Sequence, residues 1–223
     1  MKTCAVVLLN WNGAGYLKKF LPVLLQYTTY PHVRIIVADN ASTDDSLELL
    51  SSDFPTVEQL VLDRNYGFAG GYNKALAQVE AAYYVLLNSD VEVSEGWLEP
   101  LLAYLEEHSD VAAVQPKIRA YHQPSHFEHA GAAGGFIDSL GYPFCRGRIL
   151  SVTEADTNQY DTVRDVFWAS GACMLIRSEV YRNCGGLDDD FFAHMEEIDL
   201  CWRIHSRGYR IVAIPGSVVY HVG

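Results

Sequence analysis

The sequence predicts an α/β domain whose central, mainly parallel β-sheet is flanked by helices. Short apolar runs typical of strands alternate with stretches that can form helices. The early runs carry apolar residues on both faces, as strands buried between two helical layers do. The chain has 223 residues, of which 49% are hydrophobic, and this is enough to build a substantial core.

The alternation extends over the first half of the chain. Predicted strands occupy 4–9, 33–38, 57–62, 82–87 and 111–115. Predicted helices occupy 14–28, 43–51, 70–80 and 95–107. Because a helix can connect each strand to the next, the strands are expected to run parallel.

The second half of the sequence is less regular. Residues 117–165 are rich in Gly, His, Tyr and charged side chains, which predicts either a ligand-binding loop or a hairpin-rich lobe that extends the sheet. Periodicity returns at 171–184, and the terminal "RIVAIPGSVVYHVG" predicts two short strands. The chain stops directly after the second of these strands, so we expect an excised core whose native chain continues.

Charge and cysteine content exclude several classes of protein. The net charge of −12 disfavours binding to nucleic acid or to anionic membrane surfaces. The five cysteines contain no Cys-x-x-Cys pair, so neither a disulfide framework nor a thiolate zinc site is indicated, and a cytoplasmic setting is expected. The first residues are typical of a strand rather than a signal peptide, and no window approaches the roughly 18 to 20 apolar residues of a membrane-spanning helix.

Polar side chains follow each of the first four predicted strands. Ligands of open parallel sheets bind beyond the carboxyl ends of the strands. Amide and hydroxyl groups beside an aromatic ring suit a base and ribose, and the carboxylate after the fourth strand suits a hard divalent cation. The sequence therefore predicts a nucleoside diphosphate with its metal. The side chains are Asn10, Trp11 and Asn12; Asp39, Asn40, Ser42 and Asp44; Asp63, Arg64 and Asn65; and Asn88, Ser89 and Asp90.

Each of these segments also has a purely structural interpretation. In "DNASTDDS", Ser42 or Thr43 can cap a helix that carries acids in its first turn. The segment "NYGFAGGYN" can be a glycine-rich turn into a helix, and it matches neither the dinucleotide fingerprint nor the P-loop. "NSDVEV" can be a strand-ending turn. Their joint occurrence at one sheet edge favours the ligand site.

A second group of acids occurs in "HMEEIDLCWRIHSRGYRI". If a helix begins near Met195, Glu197 lies at the mouth of an otherwise apolar stripe, where burial would raise its pKa and suit it to act as a general base. The alternative is that the acids only complement the helix dipole. The stripe consists of Leu200, Cys201 and Ile204, and a supporting group on another face consists of Glu196, Asp199 and Arg203.

Seven segments, in this order, resemble the family 2 inverting glycosyltransferases, particularly the rhamnosyltransferase-like members. They are "VVLLNWNG", "VADNASTDDS", "NYGFAGGYNKAL", "LLNSDVEV", "ASGACMLIRSEVYRNCGGLDDDFF", "EEIDLCWR" and "IPGSVVYHVG". The resemblance implies the GT-A nucleotide-diphospho-sugar transferase fold with a smaller acceptor-side lobe. It also implies a single catalytic domain over 1–223, with a nucleotide-binding half at 1–116 and an acceptor and catalytic half at 117–223.

The resemblance assigns roles to individual residues. Asp90, in "Asn88-Ser89-Asp90", takes the place of the metal-binding acid of the family's Asp-x-Asp motif, and His221 matches a histidine that completes the metal site. Glu197 takes the place of the catalytic base, which is an aspartate in the usual Glu-Asp pair. Trp168, Ser170 and Gly171 match the segment beside sugar and acceptor. Nucleotide contacts are expected from Asn10, Trp11, Asn12, Asp39, Asn40, Asn65, Gly70, Asn73, Asn88 and Ser89.

The implied reaction transfers a sugar from a dTDP- or UDP-sugar, with rhamnose as one candidate, to a hydroxyl of a cell-surface glycan or lipid-linked acceptor. A divalent cation, Mn²⁺ or Mg²⁺, is the expected cofactor. No nucleic acid partner and no transmembrane segment are expected, and peripheral association with the inner face of the membrane is left open.

Three alternatives remain at this stage. A nucleotidyltransferase could use a similar sheet, although it would need a basic phosphate loop after the first strand, where the first lysine comes only at Lys18. A non-catalytic sugar- or metal-binding module is the second alternative. The third is a zinc site formed by His122, His126 and His129, which the intervening Pro124 opposes if the segment is helical.

Overall fold

A ten-stranded β-sheet forms the centre of the computed structural model, which describes residues 2–223. Met1, the first residue of the predicted domain, lies outside the described residues. The strands are β1 (Cys4–Asn10), β2 (Val33–Asp39), β3 (Glu58–Val61), β4 (Tyr83–Asn88), β5 (Val91–Val93), β6 (Val111–Ala120), β7 (Gln123–Phe127), β8 (Gly135–Ile137), β9 (Pro143–Cys145), β10 (Arg148–Ile149), β11 (Val152–Thr153), β12 (Arg164–Val166), β13 (Cys173–Arg177) and β14 (Arg210–His221).

Helices connect most of the early strands and cover the sheet. They are α1 (Ala14–Tyr27), α2 (Ser46–Asp53), α3 (Gly67–Leu76), α4 (Glu99–Glu107), α5 (Ser178–Asn183) and α6 (Glu196–Ser206), with a 3₁₀ turn at Asp189–Phe191. Within residues 2–223, no helix combines the length and the apolarity that crossing a membrane requires.

The half of the sheet nearest the N-terminus is parallel, as the sequence predicts. Its strands lie in the order β4-β1-β2-β3. Alternate residues of β1 enter opposite layers of core, because side chains of a strand point to alternate faces. Val6 and Leu8 pack in the layer that contains Leu17 of α1, whereas Ala5 and Val7 pack with α3. The predicted burial of both faces is confirmed.

The second half of the sheet is mixed. Strand β13 runs antiparallel between β4 and β6, and β14 runs parallel to β6. The prediction of two short terminal strands was wrong, because β14 is continuous. Pro215 and Gly216 suggested a break, but β6 pairs with both sides of an irregularity between Ile214 and Val218, so the extra residues bulge out and the strand continues.

The segment 117–165 is hairpin-rich, in agreement with the second of the two predicted alternatives. Strand β7 pairs with β6, while β8–β9 and β10–β11 form separate two-stranded sheets. Lys117 and Arg119 of β6 both donate to the fully buried carboxylate of Asp156, with 2.9 Å between Lys117 Nζ and Asp156 Oδ2. These ion pairs attach the lobe to the main sheet.

Helix α2 begins later than its sequence predicts. The expected cap, Ser42 or Thr43, was wrong, because the helix starts at Ser46 and it is Asp44 Oδ1 that accepts from the Ser46 amide at 3.1 Å. Asp44 also accepts from the amide of Ala14 at 3.0 Å, so one carboxylate joins the starts of α1 and α2.

Candidate functional site

A pocket of about 510 Å³, called here the central pocket, opens at the carboxyl ends of β1, β2 and β4. Residues that follow β1, β2 and β4 supply part of its lining. The lining residues are Leu9, Trp11, Asn12, Gly13, Tyr16, Asn40, Asn65, Gly67, Phe68, Asn88, Ser89, Asp90 and Phe192.

Asn10 and Asp39 lie outside the lining of this pocket. Both are almost fully buried, and Asn10 Nδ2 donates to Asp39 Oδ2 at 2.9 Å and to Ser42 Oγ at 3.1 Å. Asp39 Oδ1 accepts from the Ser42 amide at 2.8 Å. This network fixes the loop after β2 against the loop after β1, so both side chains hold the pocket wall in shape.

Aromatic surface is available at the mouth of the pocket. The Trp11 side chain is 57% exposed and that of Tyr16 is 42% exposed, although both belong to the lining. Asn12 Oδ1 accepts from the Thr43 amide at 2.7 Å, which fixes the backbone next to Trp11. An exposed tryptophan beside an open pocket offers a flat apolar face on which a planar ring can stack.

Asn40 shapes the opposite wall through the start of α3. Its Nδ2 donates to Asn65 Oδ1 and to the Gly67 carbonyl, each at 2.9 Å, and its Oδ1 accepts from the Tyr66 amide at 3.0 Å. Gly67 has a φ of +73°, and a β-carbon there would lie 2.7 Å from the Phe192 ring. Only glycine combines that backbone conformation with the close approach of Phe192, which lines the pocket from the segment before α6.

Gly70 and Asn73 are not in the lining of the central pocket. Asn73 Nδ2 donates to the Leu187 carbonyl at 2.7 Å, and its Oδ1 accepts from Tyr181 Oη at 2.6 Å. A β-carbon on Gly70 would face Tyr66 and Asp189. Both residues therefore lie where α3 holds the segment that leads to α6.

Asn88, Ser89 and Asp90 line the pocket at the end of β4. The antiparallel pairing of β5 with β14 brings His221 to this point. Asp90 Oδ1 lies 3.2 Å from His221 Nε2, and Asn88 Nδ2 lies 3.4 Å from the same nitrogen. Residues separated by more than 130 positions in the chain thus meet at one corner.

Sequence reasoning missed Glu128, which lies on the other side of the His221 ring. Its Oε1 is 3.5 Å from His221 Nδ1, and its Oε2 accepts from the Ala130 amide at 2.6 Å. Although burial alone would lower it, the neighbouring carboxylates of Asp90 and Glu128 raise the pKa of His221 to about 9. Glu128 follows β7 in the irregular segment, where no periodicity marks it.

The residues at this corner fit a divalent cation that is completed by a substrate. Within residues 2–223, no group of three or more His, Cys, Asp or Glu side chains could hold a metal by itself. Asp90 and His221 nevertheless offer an oxygen and a nitrogen at one pocket corner, and Mg²⁺ sites commonly use one or two protein ligands together with substrate phosphates and water.

The zinc site predicted as an alternative at His122, His126 and His129 was wrong. His126 contacts Gln123 and Ser125, whereas His129 contacts Arg148, and the described residues contain no such three-ligand group. The segment 121–127 forms a turn and an antiparallel strand instead of a helix, so the three rings do not converge.

A smaller cavity of about 210 Å³, the acid pocket, adjoins the central pocket and shares Phe68 and Asn88 with it. Its lining residues are Phe68, Asn88, Ala130, Ser170, Gly171, Ala172, Ala193, His194, Glu196, Glu197 and His221. Two carboxylates therefore face a cavity that also contains His221.

Glu197 lies at the mouth of a buried apolar stripe, as its sequence position predicts. Leu200, Cys201 and Ile204 of that stripe are fully buried. Burial, followed by the nearby charge of Glu196, raises the pKa of Glu197 to about 7. Its Oε2 is buried without a hydrogen-bond partner, so the carboxylate is free to accept a proton from a molecule in the cavity.

The position predicted for Glu196 was wrong. We expected it beside Asp199 and Arg203, but it is only 4% exposed and lies in the acid pocket with Glu197. Burial raises the pKa of Glu196 as well. Arg203 Nε does donate to Asp199 at 2.9 Å, and its Nη1 donates to the Gly186 carbonyl at 2.8 Å, so this ion pair fixes α6 against the preceding loop.

Ser170 and Gly171 line the acid pocket, while Trp168 lies behind them. A β-carbon on Gly171 would lie 3.4 Å from Phe68 and 3.9 Å from Glu197 Cβ, so this glycine keeps space in front of the acid. Trp168 Nε1 donates to the Phe136 carbonyl at 2.9 Å. Gln115, which the sequence did not single out, accepts from the Ser170 amide at 3.0 Å.

Comparison with known sequences gives relatives over nearly the whole chain. An N-acetylglucosaminyl-diphospho-decaprenol L-rhamnosyltransferase of Mycobacterium tuberculosis (strain CDC 1551 / Oshkosh) is 27% identical over 230 residues, which cover 97% of this chain and 75% of the relative. Rhamnosyltransferase WbbL of Escherichia coli (strain K12) is 27% identical over 229 residues, which cover 97% of this chain and 82% of the relative.

Comparison with solved structures shows the fold. The crystal structure of GalNAc-T7 with UDP, GalNAc and Mn²⁺ matches with a TM-score of 0.77 and 16% identity, over 99% of this chain and 43% of that chain. Mannosyltransferase PcManGT from Pyrobaculum calidifontis, in complex with GDP-Man and Mn²⁺, matches with a TM-score of 0.69 and 16% identity, over 99% of this chain and 57% of that chain. The chain thus spans less than two thirds of either structure.

These findings confirm the predicted GT-A fold and the predicted resemblance to rhamnosyltransferases. The profile described as "Glycosyl transferase family 2" matches residues 5–185, well over half of the sequence. The chain therefore belongs to glycosyl transferase family 2.

Proposed function

We propose that this protein transfers a sugar from a nucleoside-diphosphate donor to a hydroxyl group of a saccharide acceptor, with inversion at the anomeric carbon. The observation that carries the proposal is the position of Glu197. Its buried carboxylate, with a pKa of about 7, faces a small cavity directly beside the larger pocket at the strand ends. An acid with a pKa near neutrality is suited to remove a proton at physiological pH.

The central pocket is proposed to hold the nucleotide. Trp11 and Tyr16 offer faces for a base, and Asn12, Asn40 and Asn65 contribute polar surface. Asn10, Asp39, Gly70 and Asn73 act indirectly in this proposal, by fixing the loops that form or adjoin the pocket. A dTDP- or UDP-sugar remains the proposed donor, and the rhamnosyltransferase relatives make rhamnose the first sugar to test.

Asp90 and His221 would hold a divalent cation, Mn²⁺ or Mg²⁺, at the corner between the two pockets. When bound, such an ion supplies positive charge that stabilises the departing diphosphate. Two of the structures that share the fold contain Mn²⁺ together with a nucleotide or nucleotide sugar, which is consistent with this assignment.

Glu197 is proposed to act as the base in a single displacement. The acceptor hydroxyl oxygen attacks the anomeric carbon while its proton passes to Glu197, and the bond between that carbon and the diphosphate oxygen breaks. One step of this kind inverts the anomeric configuration. The space in front of Gly171 admits the acceptor, and Ser170 fixes the neighbouring backbone through the Ala130 carbonyl.

The acceptor is proposed to be a saccharide of the cell envelope, carried on a lipid. The relative from M. tuberculosis is named for an acceptor of this kind, N-acetylglucosaminyl-diphospho-decaprenol. A lipid-linked acceptor would place the enzyme in the cytoplasm, at the inner face of the membrane.

The decisive variant is Glu197→Gln, which keeps the shape of the side chain and removes the base. We expect unchanged affinity for nucleoside diphosphate with Mn²⁺ and a loss of transfer on the order of 10² to 10⁴-fold. Glu106→Gln, an exposed residue of α4, is the matched control and should behave like wild type. Wild-type turnover by Glu197→Gln would remove Glu197 from this role, and retention of configuration in the product would exclude the single displacement.

A further inference from the structure

A separate cavity of about 450 Å³ lies in the hairpin lobe and belongs to neither pocket described above. We call it the arginine pocket. Phe136, Phe144 and Tyr160 give it aromatic walls, and Arg146 and Arg164 supply its charge. The full lining is Phe136, Phe144, Arg146, Gln159, Tyr160, Thr162 and Arg164.

The two guanidinium groups lie close enough to repel each other. Burial, followed by the charge of Arg164, lowers the pKa of Arg146. Arg146 lies over the Tyr160 ring, with 5.1 Å between its guanidinium carbon and the ring centroid, and donates to the Ala133 carbonyl at 2.9 Å. Two like charges in one concave pocket raise the energy of the protein unless an anion neutralises them.

No carboxylate of the described residues forms an ion pair with Arg146 or Arg164. The salt bridges within residues 2–223 occupy other arginines. Three of the four acids in the adjoining segment 154–165 are engaged elsewhere. Asp156 and Asp161 bind Lys117, and Asp165 binds Arg210. Glu154 lies beside the pocket, where it accepts from Tyr160 and Gln159 of the lining. With two guanidinium groups against one carboxylate, the pocket keeps a local positive charge in a chain whose net charge is −12.

The two hairpins of this lobe carry exposed apolar side chains at their turns. The β8–β9 turn carries Leu140 and Tyr142, which are 80% and 68% exposed. The β10–β11 turn carries Leu150, which is 84% exposed and has a φ of +54°, a conformation that leucine rarely adopts. Tight turns usually expose Gly, Asn or Asp, so leucines at both tips are unusual.

One hydrogen bond links a wall of the arginine pocket to the chain segment that leads to the acid pocket. Phe136 accepts a hydrogen bond from Trp168 through its carbonyl group, and Trp168 lies two residues before Ser170. The segment before Ser170 therefore also supports a wall of the arginine pocket.

We propose that Arg146 and Arg164 bind the diphosphate group of a lipid-carried acceptor, whose hydrocarbon chain lies against the tips at Leu140 and Leu150. Guanidinium groups match phosphate oxygens in geometry and charge, and the exposed leucines offer an apolar surface to the chain. The inference names the acceptor class for the proposed glycosyl transfer and so rests on that function, but binding can be measured without turnover.

The test uses isothermal titration of the full chain with farnesyl diphosphate and with inorganic pyrophosphate, in the presence of EDTA. Chelation prevents a metal-dependent diphosphate from occupying the central pocket. Wild-type protein should bind farnesyl diphosphate at least about tenfold more tightly than pyrophosphate, because the latter lacks the apolar chain. Equal affinities would show an anion site without a lipid chain and would overturn the lipid assignment.

Arg164→Gln is the first variant, because Arg164 is exposed and can be replaced without disturbing the core. It should weaken the binding of both ligands about tenfold, since a hydrogen bond to a charged group is lost. Arg164→Lys should recover part of the affinity. Arg34→Gln, on an exposed arginine of β2 paired with Glu58, is the control and should change neither affinity. Wild-type binding by both Arg164→Gln and Arg146→Gln would overturn the proposal.

Leu140→Ser combined with Leu150→Ser separates the two parts of the site. The double variant should reduce the affinity for farnesyl diphosphate to that for pyrophosphate and leave pyrophosphate binding unchanged. Unchanged binding of farnesyl diphosphate would show that Leu140 and Leu150 do not contact the hydrocarbon chain. Nucleoside diphosphate binding with Mn²⁺, measured on the same proteins, reports on the central pocket. If wild-type protein does not bind nucleoside diphosphate with Mn²⁺, the proposed function is contradicted. The measurements on the arginine pocket can still be interpreted in that case.

Discussion

Adjacent residues with the same side chain have unequal surroundings at the start of α6. Glu196 and Glu197 both have a buried Oε2 without a hydrogen-bond partner, and burial raises the pKa of both. The apolar stripe of α6 and the neighbouring charge of Glu196 bring the pKa of Glu197 to about 7, which suits it to exchange a proton with an acceptor. The immediate surroundings of each carboxylate thus decide which of the two acids is the better base.

Trp11 tests the proposed nucleotide pocket at the scale of one side chain. Trp11→Ala should weaken nucleoside diphosphate binding about tenfold, since stacking of a base on an aromatic ring contributes about 1–3 kcal/mol. Fluorescence or calorimetric titration in the presence of Mn²⁺ measures this. Trp202→Ala, which removes a tryptophan of similar exposure on α6, is the matched control. Equal affinity of the Trp11 and Trp202 variants would exclude stacking on Trp11.

Glu128 tests the metal corner. Its carboxylate contacts the His221 nitrogen that faces away from Asp90, an arrangement that fixes the orientation of a metal-binding imidazole. Glu128→Gln should therefore weaken Mn²⁺ binding to the nucleotide complex about 10- to 100-fold. Electron paramagnetic resonance of free Mn²⁺ gives the affinity, and Glu95→Gln, on an exposed residue, serves as control. If Glu128→Gln binds Mn²⁺ like wild type, Glu128 does not position His221.

At the scale of elements, loops that lie far apart in sequence are joined by a few polar side chains. Asn10 links the loops after β1 and β2, Asn40 fixes the start of α3, and Asn73 connects α3 to the segment before α6. Asn40 and Asn73 bind backbone groups, whereas Asn10 binds the Asp39 carboxylate and the Ser42 hydroxyl. The pockets therefore owe their shape to asparagines at the strand and helix ends as much as to the sheet.

Lys117 attaches the hairpin lobe to β6, so its replacement tests how these two elements are held together. Its side chain is 3% exposed and pairs with the fully buried carboxylate of Asp156. Lys117→Met should lower the free energy of unfolding by roughly 2 kcal/mol, since a buried hydrogen bond between charged groups is lost while Arg119 still pairs with the Asp156 carboxylate. Chemical denaturation measures the loss, and protease cleavage within 121–165 should become faster.

The exposed pair Arg34–Glu58 provides the control for that experiment. Arg34→Met removes a surface ion pair and should cost less than about 1 kcal/mol. A Lys117→Met variant as stable as Arg34→Met would show that Lys117 does not attach the lobe to the main sheet.

For the molecule as a whole, Glu197 links folding stability to pH. Its pKa rises from 4.5 to about 7 on folding, so the folded state binds the proton more tightly than the unfolded state. The resulting stabilisation is complete below pH 4.5 and is lost as pH rises through about 7. Glu197→Gln should therefore gain stability relative to wild type over this window, by about 3 kcal/mol at its upper end.

Thermal unfolding of both proteins between pH 4.5 and 8 checks this prediction, with Glu106→Gln expected to follow wild type. Parallel curves for wild type and Glu197→Gln would show that Glu197 titrates normally. The same pKa predicts that the rate of sugar transfer by the wild-type protein rises with pH through about 7, because the base must be ionised to accept the proton.

Local sequence patterns were enough to determine the parallel half of the sheet, its flanking helices and the edge where the pocket opens. Strands and helices have their own periods, and the polar residues directly after each strand mark its carboxyl end. The position of Glu197 above Leu200, Cys201 and Ile204 follows from helical period in the same way. These features depend on neighbours within about one turn or one strand.

Only the tertiary structure decided which distant residues meet. Pairing of β14 with β5 brings His221 to Asp90, and the turn after β7 brings Glu128 to the same ring, although nothing near Glu128 in the sequence marks it. Arg146, which lies between β9 and β10, lines one pocket with Arg164, which begins β12 of the main sheet. Glu196 lies in the acid pocket rather than beside Arg203. Contacts of this kind depend on strand register and chain reversal, which a local pattern does not specify.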